Sequence, residues 1–232
     1  MLIKLVLAVA LVLTASCSAT PAPSTSPGPP KPFEPSKWVK SALTIPIPVG
    51  PDWQEAGWDG GLLMAAVGFE APAGSLDEVA TSKDGHDWRA STPVRMTLLG
   101  CEGRIVAGYG TAAYLVGWTS QGPTVRRTED GERWETIPLG LGDLKVRSPL
   151  DLWVTVAAGP RGVIVVGTDS FTPPHYQGVY VWYSPDGRSF GGPVRVSGPQ
   201  PVVVAQGTPE GFLLGMSDNA GSMLLSSEDG VH

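Results

Sequence analysis

The phrase "SKDGHDW" at Ser82–Trp88 returns as "TEDGERW" at Thr128–Trp134, as "SPDGRSF" at Ser184–Phe190, and as "SEDG" at Ser227–Gly230. The Asp stands at 84, 130, 186 and 229, at intervals of 46, 56 and 43 residues. Asp-Gly is among the strongest short hairpin signals, because a tight turn needs a positive φ that Gly adopts without a Cβ clash. The Asp carboxylate can accept hydrogen bonds from the backbone N–H groups that follow it and close the turn. The Ser or Thr two residues earlier can add a bond of the same kind. Trp88, Trp134 and Phe190, four residues after their Asp, can cover the hairpin with a large apolar ring. Thus Ser82, Asp84, Gly85 and Trp88, then Thr128, Asp130, Gly131 and Trp134, then Ser184, Asp186, Gly187 and Phe190, then Ser227, Asp229 and Gly230 read as structural staples.

Each staple belongs to a longer unit. A Gly-bounded or Ala-led apolar run precedes it: "GGLLMAAVGF" (Gly60–Phe69), "AAYLVGW" (Ala112–Trp118), "GVIVVGT" (Gly162–Thr168) and "GFLLGMS" (Gly211–Ser217). A second short strand, such as "TVRRTE" or "VYVWYS", leads into the turn, and another follows it. A further apolar run opens most units: "RIVAGYG" (Arg104–Gly110), "DLWVTVAA" (Asp151–Ala158) and "PVVVAQG" (Pro201–Gly207). Helical periodicity is absent from this region. About four short strands at a period of ~40–50 residues define a β-propeller, whose small sheets bury their faces only by stacking around an axis. The expected fold is all-β, a β-propeller of about four four-stranded blades. The last unit stops two residues after its Gly, so its fourth strand is missing. Either the propeller is incomplete, or an N-terminal segment such as "KWVKSALTIPI" (Lys37–Ile47) closes the ring.

The repeated phrase resembles the Asp-box, or bacterial neuraminidase repeat, with skeleton Ser/Thr-x-Asp-x-Gly-x-x-Trp. Here Gly follows Asp directly, a shorter form similar to that of propeller lipoproteins from high-GC Gram-positive bacteria. The resemblance runs from about Gly50 to His232 and implies a sialidase-like propeller whose boxes lie away from any active site. A sialidase would add three convergent Arg residues, the first in Arg-Ile-Pro, with a Tyr–Glu nucleophile pair and an Asp acid/base. In this chain Arg104-Ile105 is followed by Val106, and Arg126 and Arg127 are strand neighbours that face opposite ways. Fold similarity does not transfer the chemistry.

The ends of the chain set its compartment. "MLIKLVLAVALVLTASC" places Lys4 before an apolar run from Leu5 to Leu13, too short for the ~20 residues that span a bilayer but suited to an export signal. "LTASC" (Leu13–Cys17) resembles the lipobox of bacterial lipoproteins, which implies cleavage before Cys17 and acylation of its thiol. Residues 1–16 are then a signal peptide. Residues 17–37, the lipidated Cys with a Pro/Ser/Thr-rich stretch, form a disordered linker that cannot bury enough apolar surface to offset its ordering entropy. Residues 38–232 are the propeller. The expected location is the outer face of the bacterial cell membrane, with the membrane reached through the lipid anchor. Of two cysteines, Cys101 keeps no intramolecular partner, so no disulfide framework is expected. The chain is acidic, with net charge −6 and no basic cluster, which argues against nucleic acid as a partner.

Chemistry-bearing motifs are lacking. The histidines, His86, His175 and His232, show no zinc spacing, and neither a nucleophile elbow nor a phosphate-binding loop occurs, so no metal or cofactor is expected and no catalytic residue is assigned. Variable function should collect on loops opposite the Asp-Gly hairpins. These are Glu70–Leu76, Ser120–Pro123, Asp169–Gly178 and Asp218–Gly221. The third is the longest and gathers Asp169, Phe171, His175 and Tyr176, a set that could stack on a sugar ring or grip a peptide. Two functions follow: a surface-anchored binding or assembly module with an unknown protein or glycan ligand, or a sialidase-like glycoside hydrolase.

Overall fold

The computed structural model describes residues 52–67, 74–76, 79–91, 96–98, 104–144, 146, 152–169, 178–196, 202–218 and 221–230. The leader, Cys17, the Pro-rich linker, Lys37–Ile47 and Cys101 lie outside the described residues. All described residues fall in one compact unit, Ala42–His232.

The fold is a β-propeller of four antiparallel blades, with strands numbered β1–β17 along the chain. Blade 1 is ordered β1 (Asp52–Trp58), β2 (Gly61–Val67), β4 (Val79–Ser82), β5 (Trp88–Ser91). Blade 2 runs β7 (Val106–Tyr109), β8 (Ala112–Thr119), β9 (Gly122–Thr128), β10 (Glu135–Pro138). Blade 3 runs β11 (Leu152–Gly159), β12 (Gly162–Asp169), β13 (Val179–Ser184), β14 (Val194–Val196). Blade 4 shows three strands among the described residues, β15 (Val202–Gly207), β16 (Phe212–Asp218) and β17 (Gly221–Ser227). The first strands, β1, β7, β11 and β15, lie side by side and form the inner wall.

Two features depart from the sequence reading. "DWQEAGW" (Asp52–Trp58) supplies the inner strand of blade 1, though its mixed polarity gave no apolar run to find. The segment Glu70–Leu76, expected to be a loop, contains β3 (Gly74–Leu76), which pairs with β6 (Met96–Leu98). This ribbon joins the end of β8 through Thr97 and Trp118, so blade 1 lends two short strands to the sheet of blade 2.

The Asp-Gly turns hold themselves together and then clamp blade to blade. Asp84 Oδ1 accepts the N–H groups of His86 and Asp87 at 2.8 and 3.0 Å, and Ser82 Oγ receives the Gly85 N–H at 2.9 Å. Asp130 repeats this with Glu132 and Arg133, and Asp186 with Arg188 and Ser189. The four turn glycines have φ between +66° and +80°. Those of blades 2, 3 and 4 are buried against the preceding blade. The Gly131 carbonyl accepts Thr81 Oγ1 (3.1 Å) and Ser91 Oγ (2.9 Å) from blade 1. Trp134 Nε1 donates to Ser91 Oγ at 2.7 Å, and Trp58 Nε1 to the Glu129 carbonyl at 2.9 Å. Gly187 lies so close to blade 2 that a Cβ would stand 2.1 Å from Tyr114 Oη. A Cβ on Gly230 would stand 2.6 Å from Ile164 Cγ2 of blade 3. Between these seams Leu63, Val79, Leu115, Val125, Leu152, Val165 and Trp182 are fully buried in one core. A second core joins Ile164, Val166 and Val181 of blade 3 to Phe212, Leu214 and Met216 of blade 4.

Two outcomes follow. Gly187→Ala should lower the unfolding free energy by about 1–3 kcal/mol, since it adds both a strained φ and a clash with Tyr114; a urea midpoint unchanged from wild type would contradict the clamp. The backbone N–H groups of Arg133 and Glu132, then the Arg133 side chain, hold the Asp130 carboxyl well below its ordinary range. Backbone donors do the same for Asp84 and Asp186. A depressed folded pKa means a contribution present above the unfolded value of ~3.9 and lost as pH falls through the folded value. The melting temperature should therefore drop below about pH 4, and Asp130→Asn should lower it at pH 7 while flattening that acid limb.

Candidate functional site

At the inner wall the blades approach through residues with little or no side chain. Gly108 sits against the Gly57 carbonyl, where a Cβ would come within 2.2 Å of the oxygen. Gly207 sits likewise against the Ala158 carbonyl. Between blades 2 and 3 Val156 N donates to the Arg104 carbonyl at 2.8 Å, and between blades 1 and 2 Ile105 N donates to Gln54 Oε1 at 2.6 Å. Such close approach leaves the inner strands walled by Ala56, Ala107, Ala157 and Ala205, whose small side chains cannot fill the axis. A cavity of about 450 Å³ results, and all four inner strands line it.

Three polar side chains and one aromatic enter this cavity. Glu55 on β1 and Gln206 on β15 are exposed. Arg104, just before β7, donates through Nη2 to the Glu55 carbonyl at 3.2 Å, which fixes its guanidinium beside β1 and leaves further N–H groups for a ligand. Trp88 is half-buried, and its Nε1 is spent on the Gly85 carbonyl at 3.1 Å, so it offers an apolar ring. Leu62 and Met64 extend the apolar side.

A cavity of about 490 Å³ between the turns of blades 1 and 2 is more acidic, with Asp84, Asp87, Asp130 and Glu132 on its wall. Its central carboxylates are already committed: Asp84 and Asp130 accept backbone N–H groups, and Arg133 Nε bridges Asp130 at 2.8 Å. The axial cavity is therefore the better candidate.

The sequence-derived site residues lie elsewhere. Asp169 ends β12, while Phe171, His175 and Tyr176 lie outside the described residues. The turn residues form the clamps described above. The arginines that a sialidase clamp would need do not converge. Arg104 borders the cavity, whereas Arg127 is buried at the seam between blades 2 and 3, bonded to Glu129 Oε1 at 2.5 Å. Arg126 lies on the other face of β9 and donates to Thr136 Oγ1. Glu55, Gln206 and the alanine wall carry no motif, so nothing in the sequence singled them out. Trp88 did have a signal, as a staple.

No family model matches the chain, and no curated protein matches it. Among solved structures it is similar to a Parabacteroides distasonis protein assigned as a glycoside hydrolase, with 13% identity over 73% of this chain and 64% of that one, at a TM-score of 0.37. It is similar to a β-1,2-mannobiose phosphorylase from Listeria innocua in complex with β-1,2-mannobiose, with 14% identity over 79% and 76% of the two chains, at a TM-score of 0.36. A third likeness is to YCF48 bound to D1 peptide, with 16% identity over 75% and 66% of the two chains, at a TM-score of 0.31. The chain thus spans less than two thirds of the length of the first and third of these structures.

Proposed function

We propose that the chain is a lipid-anchored extracytoplasmic propeller that serves as a binding module, with a saccharide as the ligand class of its axial cavity. The observation that carries this reading is the cavity's chemistry. A carboxylate, a guanidinium and an amide (Glu55, Arg104 and Gln206) share about 450 Å³ with the apolar ring of Trp88. Sugars present hydroxyls at the ring edge and C–H groups on the ring face, and such a mixture suits them.

Binding is favoured over hydrolysis on the same residues. Glycoside hydrolysis ordinarily uses two carboxyl groups across the scissile bond, about 5–5.5 Å apart in retaining enzymes and about 6.5–9.5 Å in inverting ones. Among the described lining residues Glu55 is the single carboxylate. No described helix is long and apolar enough to cross a membrane, so the anchoring half of the proposal rests on Cys17 after "LTAS".

Two measurements test the two halves. Glycan-array screening of the detergent-solubilised chain, followed by titration calorimetry on a hit, should give Glu55→Gln and Gln206→Ala affinities roughly tenfold weaker each, the size of one lost hydrogen bond of ~1.4 kcal/mol. Unchanged affinity in both variants would move the site away from the axis, and turnover of a fluorogenic sialoside would overturn the binding reading. Mass spectrometry of the mature N-terminus should find an acylated Cys17, and Cys17→Ala should release the chain from membranes; an unmodified Cys17 or cleavage elsewhere would refute the anchor.

A further inference from the structure

An Asp-Gly bond is open to reaction with itself, because glycine has no side chain to shield its nitrogen. The Gly nitrogen attacks the preceding Asp Cγ and gives up its proton. A carboxyl oxygen leaves as water, and a five-membered imide closes. Water then reopens the ring. Addition at Cγ restores Asp, whereas addition at the main-chain carbonyl leaves isoaspartate, with the chain running through Cβ and Cγ and a new α-carboxylate. No atom is gained or lost overall. The reaction needs a Gly N–H free to give up its proton and a carboxyl free to turn towards it.

Two of the turns hold both partners. At Asp84, Ser82 Oγ accepts the Gly85 N–H at 2.9 Å, and Oδ1 accepts His86 N–H and Asp87 N–H at 2.8 and 3.0 Å. At Asp130, Thr128 Oγ1 accepts the Gly131 N–H at 2.9 Å, and Oδ1 accepts Glu132 N–H and Arg133 N–H at 2.9 and 2.8 Å. Arg133 Nε adds a bond to Oδ2 at 2.8 Å, so both oxygens of Asp130 are held.

The Asp186 turn has the same residue types in the same places but not the same bonds. Ser184 Oγ donates to Asp186 Oδ1 at 3.0 Å, yet no described residue accepts the Gly187 N–H. Oδ1 accepts Arg188 N–H at 2.8 Å, but its second backbone bond, from Ser189 N–H, is stretched to 3.3 Å. Burial does not separate this turn from that of Asp130, since Gly131 and Gly187 are both buried. Bonding does. Asp186 is also exposed to the water that must leave and return.

We infer that Asp186–Gly187 is a site of imide formation and isoaspartate conversion in the folded chain, ahead of Asp84–Gly85 and Asp130–Gly131, and that conversion there loosens blade 3 from blade 2. The isoaspartyl link adds one carbon to the main chain before Gly187. The seat cannot absorb it, since even a Cβ on Gly187 would stand 2.1 Å from Tyr114 Oη. The turn then lifts from blade 2 and takes Arg188 from its 2.6 Å contact with Glu129. None of this depends on what the axial cavity holds.

The test ages the full chain in detergent, folded at neutral pH and, in parallel, unfolded in guanidinium chloride. Peptide mapping with electron-transfer fragmentation counts isoaspartate at each Asp. The unfolded rate divided by the folded rate gives a protection factor from which local sequence effects cancel. Asp84 and Asp130 should each be protected roughly fivefold more than Asp186, the rate equivalent of one hydrogen bond of ~1 kcal/mol. Ser82→Ala and Thr128→Ala should bring Asp84 and Asp130 down towards the Asp186 value, with the far-UV circular dichroism unchanged. The chain converted at Asp186, once separated, should unfold at lower urea than the unaged chain. Equal protection at the three sites would overturn the inference. So would least protection at Asp84, whose Gly85 is only half-buried, because mobility and not bonding would then govern the chemistry. A converted chain with an unchanged urea midpoint would overturn the loosening of the seam.

Discussion

A four-stranded sheet of strands three to eight residues long has two faces to cover and, among the described residues, no helix to cover them with. The seating of a turn glycine against the preceding sheet solves this, and the rest of the structure depends on it. The turn fixes the spacing between neighbouring blades at its end of the sheet, so the small inner residues fix it at the other. Were the glycine any larger, Tyr114 or Ile164 would be pushed off its own sheet, and the valine beneath would reach water. Fully burying a side chain of that size is worth about 1.5–3 kcal/mol. A clamp that keeps several such residues dry at each seam therefore outweighs the individual hydrogen bonds of the turn, each worth ~1 kcal/mol.

That dependence also explains what could be read from the sequence. The Asp-Gly turn is legible because its chemistry is local: the carboxylate, the hydroxyl two residues before it and the glycine all satisfy one another within a few residues. Strands β8 and β12 are legible because blades cover them on both faces, so their sequences are continuous apolar runs. Strand β1 is not legible, because Gln54 and Glu55 serve the wall and the axis rather than a core. The β3–β6 ribbon is invisible for another reason. Three-residue strands carry no period, and the pairing of Thr97 with Trp118 is a tertiary choice.

The axial cavity was hidden by the nature of its walls. Alanine and glycine at an inner strand read as ordinary strand residues, and only the closeness of Gly57 to Gly108 and of Ala158 to Gly207 shows why they are small. Trp88 was found through its place in the repeat, which suggests a structural duty alone. Its ring also lines the cavity with Glu55 and Arg104, while its Nε1 is bonded to the carbonyl of its own turn.

The three seams share a geometry but not a chemistry, and that difference specifies which turn belongs in which socket. The first is built on hydroxyls, with Thr81 and Ser91 both aimed at one carbonyl. The second is a charged network. Arg127, 6% exposed, is held by Glu129, which Arg188 also meets, and Tyr114 stands beside it with its hydroxyl titration raised by burial. The third is apolar, with the rings of Tyr183 and Phe212 edge to face at 6.3 Å. Exchanging turns between sockets would take Arg188 away from Glu129 and Glu135, or bring the Arg188 turn against Ile164. An unpaired buried charge costs several kcal/mol, far more than a poorly packed methyl group. Wrong pairings are thereby excluded by penalty as much as right ones are favoured by contact. A chain built from near-identical turns needs such a device, because the turn geometry by itself would accept any blade as the next.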